Sequence, residues 1–367
     1  VEQQVRRVLF HDPNAAERLF SLLPRSVLIQ RPRLMLARCF LAILYDGEGA
    51  GEWRDQTAAT LRDQRVTAEN APDLYAEWLV LQSGIAWLED DLTAAAAYVD
   101  QLRGFPHDLA DEYAGTLQFL QMHLHRHAGD DRSMAHAAQA ALAAYERAGF
   151  WLGAVALRRE QARWMMSRGR ARAAGRQFDE ILRRYETHGF GVAGEIALAH
   201  WVAAGNHYLQ NQLDRARRHL EKALALARRL DRSAIIHGAL MLEHLLDLAG
   251  GKAGAKSDEV PVQFDEPNVN RALRLLRDYE TRLLLSPRYR ANVAIMAQRW
   301  GIDLAGPLPS AQDRVLIPFL RLYLIDGRDP EAITLLLEEA CAHARATQKR
   351  LEELELLALS AWQQLYL

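Results

Sequence analysis

The stretch WVAAGNHYLQNQLDRARRHLEKALALARRLD, Trp201 to Asp231, decides how the rest of the chain is read. Its apolar residues recur every three or four positions, first over Trp201–Tyr208 and again over Leu213–Ala227. The polar pair Asn211–Gln212 divides the two runs. This is the pattern of two amphipathic helices joined by a tight turn. Trp201 and Tyr208 stand two helical turns apart, so both occupy one face of the first helix. Ala204 and Gly205 lie between them, and Ala216, Leu220 and Ala223 form the matching seam of the second helix. Large residues fill the gap between the helices; small ones let the backbones approach.

Outward from this unit the pattern repeats. Gly47, Asp90, Gly129, Gly169, Asn211, Gly250, Pro287 and Gly327 interrupt helical patterns at steps of about 40 residues. A second series, Gly149, Gly189 and Asp231, marks turns between pairs with the same step. Ala174, Phe178 and Ile181 continue the seam in one direction; Ile235, Ala239, Leu242 and Leu246 continue it in the other. Alternating β-branched runs are absent. The Trp201–Ala223 spacing is that of a tetratricopeptide unit with Ala and Leu at two of its places. The longer step implies longer helices. The predicted fold is all-α: a right-handed superhelix, or α-solenoid, of about eight tetratricopeptide-like helical hairpins. It is expected to form one domain over 1–367, with an N-terminal helical cap over 1–30. The stretch AGGKAGAKSDEVPVQFDEP, 249–267, reads as an exposed irregular connection, followed by C-terminal repeats over 268–367.

The totals limit the function classes. Of 367 residues, 50% are hydrophobic and 25% charged, with a net charge of −2. No overall field draws nucleic acid or an anionic membrane, and no direct nucleic-acid contact is expected. No apolar run reaches the length of a membrane span, so no membrane partner is expected either. Cys39 and Cys341 sit far apart in helical, apolar contexts and read as reduced, buried thiols. The chain is expected to be cytoplasmic and, starting at Val1, to be a piece of a longer protein.

Catalytic signatures are missing. The sequence contains no G-x-x-x-x-G-K-[ST], no G-x-G-x-x-G after a strand, no H-E-x-x-H and no G-x-S-x-G. An enzyme is not expected, and no catalytic residue, cofactor or metal site is assigned. His123 and His127 stand one helical turn apart in HLHRHAGDDRSMAH, with His125 and His136 nearby. No carboxylate holds a matching position, so this cluster reads as a partly exposed helix end whose imidazoles offset the C-terminal dipole. A polar strip is the better binding candidate. In repeat register, His237, His244 and Asp247 fall on the face lining the concave surface, with Asn206 in the preceding unit and Arg159 and Arg163 before it. These side chains suit a small polar or anionic ligand. The arginines of RGRARAAGRQFDEILRRYETHG alternate with seam residues and acids, and read as a solvated outer face.

Three segments carry a family resemblance. LFSLLPRSVLIQRPRLMLARCFLAILYDG has a turn at Leu23–Pro24, then Arg31–Leu34 and an apolar helix. RLLLSPRYRANVAIMAQRWGIDL ends in Trp300–Gly301, with Ser286–Pro287 at its turn. VLIPFLRLYLIDGRDPEAITLLLEEACAHARATQKRLEELELLALSAW places Ala332 five positions after Gly327 and closes on an apolar-acidic helix. Together they resemble the helical sensor region of MalT-type regulators of the LuxR superfamily, from Leu19 to Trp362. That family has a glycine where this chain has Ser286–Pro287. The resemblance implies a sensor and self-association domain of an ATP-dependent transcription activator. It would bind a small-molecule inducer or a regulatory protein in its groove and form a homo-oligomer. ATP would belong to a missing upstream module. The alternative is a tetratricopeptide adaptor that binds a peptide or protein and has no DNA role.

Overall fold

The computed structural model describes residues 13–44, 50–88, 91–185, 193–230, 232–249, 320 and 330–366. Among these residues there is no strand. The first six helices are α1 (Pro13–Ser21), α2 (Arg25–Ile29), α3 (Pro32–Leu44), α4 (Ala50–Asp63), α5 (Pro72–Leu88) and α6 (Leu92–Leu102). Then come α7 (Asp111–His127), α8 (Asp131–Ala148), α9 (Trp151–Ser167), α10 (Ala171–Tyr185) and α11 (Ala193–Leu209). The described chain continues with α12 (Leu213–Arg229), α13 (Ser233–Ala249), α14 (Pro330–Ala346) and α15 (Arg350–Tyr366). The fold is all-α and built of tetratricopeptide-like helical hairpins. No described helix is long and apolar enough to cross a membrane.

The turns repeat one device. Gly129, Gly149, Gly169 and Asn211 all have positive φ, as the periodic spacing requires. After each of them the next N–H donates to the carbonyl five residues back: Asp130 to His125, Phe150 to Tyr145, Arg170 to Met165 and Gln212 to His207. This closure satisfies a carbonyl that the ending helix leaves orphaned. Arg65 and Gln348 adopt the same left-handed conformation, with Val66 donating to Leu61 and Lys349 to Ala344. On the entry side, the Asp91 and Asp130 carboxylates accept from the N–H groups of Ala94 and Ser133 and cap α6 and α8.

The chain divides into two compact units. One comprises Val1–Arg159 with Arg183–Ile196; the other comprises Glu160–Leu182 with Ala197–Leu367. In the first, α3 packs on α4, α5 on α6 and α7 on α8, while α3, α5 and α7 also pack on one another in succession. Its core is aromatic. The Phe40 ring lies 6.1 Å from Tyr113 and 6.0 Å from Phe150. Cys39 is buried there as a free thiol, and that burial pushes it up to about 12, so it is an inert core residue. Cys341, in the second unit, is likewise free and buried.

In the second unit α12 packs on α13 and α14 on α15. Most of the predicted seam is one buried cluster: Ala204, Ala216, Leu220, Ala239, Leu242 and Leu246, joined by Leu224, with Trp201 and Tyr208 against it; the predicted Ala223 and Ile235 are buried as well. Ala174, Phe178 and Ile181 are also buried. Gly205 is different from expectation. A Cβ there would meet nothing within 4 Å, so Gly205 is not the close approach. That place belongs to Gly238, where a Cβ would lie 2.2 Å from the Trp201 ring. Trp201 reaches past its own hairpin to the first helix of the next pair. Gly205→Ala is therefore expected to stabilise the protein by up to about 1 kcal/mol, since alanine costs less backbone entropy in a helix and nothing obstructs its methyl. A raised midpoint in a urea melt would show it; a lowered one would put an unrecognised contact at this position.

Most of the 249–267 connection lies outside the described residues, as do Arg282–Leu304 and the turns at Gly47, Asp90, Gly189, Asp231, Gly250, Pro287 and Gly327.

Candidate functional site

Four residues of the predicted polar strip have described side chains, and each is held by a partner of its own. Arg159 donates from Nε to Glu195 at 3.1 Å, and the two side chains are only 11% and 16% exposed. Arg163 pairs with Glu160 one turn earlier on α9, at 3.2 Å. Asp247 on α13 accepts from Arg217 on α12 at 2.8 Å. Asn206 is fully buried, and its Nδ2 donates to the Ala171 carbonyl at 3.1 Å. Arg159, Asn206 and Asp247 thus join separate helices or chain segments. The side chains of His237 and His244 lie outside the described residues.

Asn206 nonetheless leads to a cleft. Ala171, whose carbonyl it holds, and Gln210, which donates to the Asn206 carbonyl at 3.2 Å, both line an open depression of about 620 Å³. Gly175 leaves room for this carboxamide, since a Cβ there would come within 3.2 Å of Asn206 Nδ2. The cleft forms at the start of α10. Its other lining residues are Gly169, Arg170, Arg172, Ala173, Arg176 and Gln212. The turn at Gly169 sets Arg170 just before the helix, and Arg172 and Arg176 share a face one turn apart. All three arginines are exposed, as the sequence predicts for a solvated face. Pattern alone did not show that Gln210 and Gln212, from the next hairpin turn, close the other wall. The lining contains three guanidinium groups and the amino end of a helix, but no carboxylate. Such a surface attracts anions.

Gln212 also borders a second feature. Its Oε1 lies 2.8 Å from His207 Nδ1. His207, His219, Asp179, Arg215 and Arg218 line a smaller cavity of about 260 Å³. The His207 and His219 rings stack with centroids 5.1 Å apart and planes at 20°. His219 Nδ1 stands 2.9 Å from Nδ1 of the buried His200. Desolvation by burial pushes His219 down to about 4, with His200, His207, Lys222 and Arg218 adding to the shift, so it is neutral at pH 7. Asp179, His207 and His219 each place one donor atom within 4.8 Å of the others. No sequence motif announced this group: its members come from α10, α11 and α12.

The histidines that the sequence does single out behave otherwise. His125 and His127 occupy the last turn of α7 with Arg126, as expected of groups that offset the dipole. His123 does not belong to that exposed end. It is buried, its ring 4.5 Å from Trp87 and 4.6 Å from Phe119, and it is part of the core.

No protein-family model and no curated protein matches the chain. Among solved structures, the apo form of RapI is similar over 98% of this chain and 93% of that one, at 13% identity and a TM-score of 0.44. A Rap protein complexed with Competence and Sporulation Factor is similar over 99% and 96%, at 12% identity and a TM-score of 0.49.

Proposed function

We propose that the chain is a binding module, a tetratricopeptide-like scaffold that takes an acidic segment of a peptide or protein partner in the cleft at the start of α10. The observation that carries this reading is the lining of that cleft: Arg170, Arg172 and Arg176 with two glutamines and no carboxylate. Guanidinium groups pair with carboxylates through parallel N–H donors, and the glutamines add neutral hydrogen bonds to a peptide backbone. An extended acidic segment suits an open cleft better than a small molecule does, because small-ligand pockets enclose most of their ligand. The reading includes neither catalysis nor a cofactor.

The test is fluorescence anisotropy with a labelled octaglutamate peptide, with octalysine as control. Octaglutamate is expected to bind with salt-sensitive affinity, and octalysine is not. Arg172→Glu is expected to weaken octaglutamate by about tenfold, the scale of one lost charge-assisted pair replaced by a repulsion. Equal binding in Arg172→Glu and Arg176→Glu would remove the cleft from the account. Preferential binding of a single-stranded oligonucleotide, lost in the same variants, would replace the protein partner with nucleic acid.

The finer reading, a sensor and self-association region of a MalT-type activator responding to an inducer or regulatory protein, rests on the three sequence segments that resemble that family. Its own test is the full-length gene. A phosphate loop upstream and a helix-turn-helix downstream would support it; the absence of both would end it.

A further inference from the structure

The peptide reading makes no use of Asp179, His207 and His219, whose donor atoms already lie within 4.8 Å of one another. We propose that these three residues bind a divalent transition-metal ion of the zinc class. Two imidazoles and one carboxylate form a donor set that zinc accepts with its fourth position left open. Binding requires the donors to close in on the ion, to about 2.0–2.2 Å each. Asp179 is exposed on α10 and is free to swing; His207 and His219 are held on α11 and α12.

The hydrogen bonds behind the imidazoles favour this over a chance cluster. Gln212 Oε1 can only accept, so the proton of neutral His207 sits on Nδ1 and the lone pair on Nε2. His219 Nδ1 has the corresponding contact with His200 Nδ1 at 2.9 Å, and in the tautomer that donates there its lone pair is also on Nε2. Ligating histidines are commonly fixed in this way, by a second partner at the ring nitrogen that does not touch the metal. His200 is 1% exposed, so this support is built into the core. Arg215 and Arg218 line the same cavity and oppose a bare dication. Asp179 cancels one charge, and the guanidinium groups attract an anion or hydroxide to the open position, which cancels more.

The experiment uses the whole chain, free of any tag, stripped with EDTA and dialysed. It is titrated with zinc chloride alone by calorimetry and with cobalt chloride followed by visible absorption. One equivalent of zinc is expected to bind, and cobalt is expected to show the d–d bands of a four-coordinate site. Asp179→Asn alters an exposed carboxylate and is expected to leave the circular dichroism unchanged while weakening zinc by more than about tenfold, at least the loss seen when supporting partners of a metal are removed. His219→Gln should behave alike. His127→Ala, which alters an exposed histidine in the other unit, should bind zinc as the parent does. The proposal is overturned if zinc produces no saturable binding, if Asp179→Asn and His219→Gln bind it unchanged, or if binding disappears in His127→Ala instead.

Discussion

Gly115→Ala is expected to destabilise the protein by about 1–3 kcal/mol, although alanine is the better helix former. Gly115 lies inside α7, in its second turn, where replacing glycine ordinarily helps. Here a Cβ would lie 2.5 Å from Cδ1 and 2.6 Å from Cε1 of Tyr145. Separations that short force the ring to move, and it has little room. On α9, a Cβ at Gly153 would come within 2.9 Å of the same ring and 2.7 Å of Phe150. Phe150 meets Tyr145 edge-on at 5.2 Å. Two glycines from two different helices thus leave space for one tyrosine. Tyr145 is buried and its hydroxyl donates to Thr116 Oγ1 at 3.5 Å, so displacing the ring also strands a polar atom. Urea melts of Gly115→Ala, Tyr145→Leu and the double variant give the coupling directly. The double variant should lose less than the two single losses summed. A Gly115→Ala variant more stable than the parent would show that the ring yields freely.

Gly115 and Gly153 illustrate what the sequence could and could not disclose. The seam residues Ala204, Tyr208, Ala216 and Leu220 were legible because helical periodicity and burial are the same constraint seen twice. The turns at Gly129, Gly149 and Gly169 were legible because positive φ selects glycine. The equivalent turns at Arg65 and Gln348 were not, since any residue whose backbone is held by the same closure can stand there. Close approaches fared worse. Repeat register pointed to Gly205, but the crowded glycine is Gly238, because the Trp201 indole leans onto the following pair and no local pattern encodes that lean. Polar residues show the same division. Register identified Arg159, Asn206 and Asp247 as notable, yet it does not reveal where a partner sits. Glu195, the Ala171 carbonyl and Arg217 lie roughly one repeat away in sequence, and each holds one of these side chains in place. The arginine cleft and the histidine cluster follow the same rule. Each needs residues from neighbouring hairpins to be complete.

Arg159→Ala is expected to cost about 3 kcal/mol of stability, the scale of stranding one partner of a buried ion pair. Arg159 and Glu195 are 11% and 16% exposed, with 3.1 Å between Nε and Oε2. Removing the guanidinium leaves the Glu195 carboxylate largely cut off from water and without this cation. The loss therefore reflects an uncompensated charge more than the worth of the pair. It follows that removing both charges should cost far less than removing one. Arg159→Met with Glu195→Gln keeps the side-chain volume and is expected to regain most of the stability, a sign that Arg159→Ala alone cannot give. The same double variant separates fastening from ligand contact. If Arg159 joins chain segments, the refastened protein binds octaglutamate as the parent does, because the cleft at Arg172 and Arg176 is untouched. If the double variant is stable but no longer binds, Arg159 returns to the binding surface, and its pairing with Glu195 becomes an arrangement that an acidic partner must break.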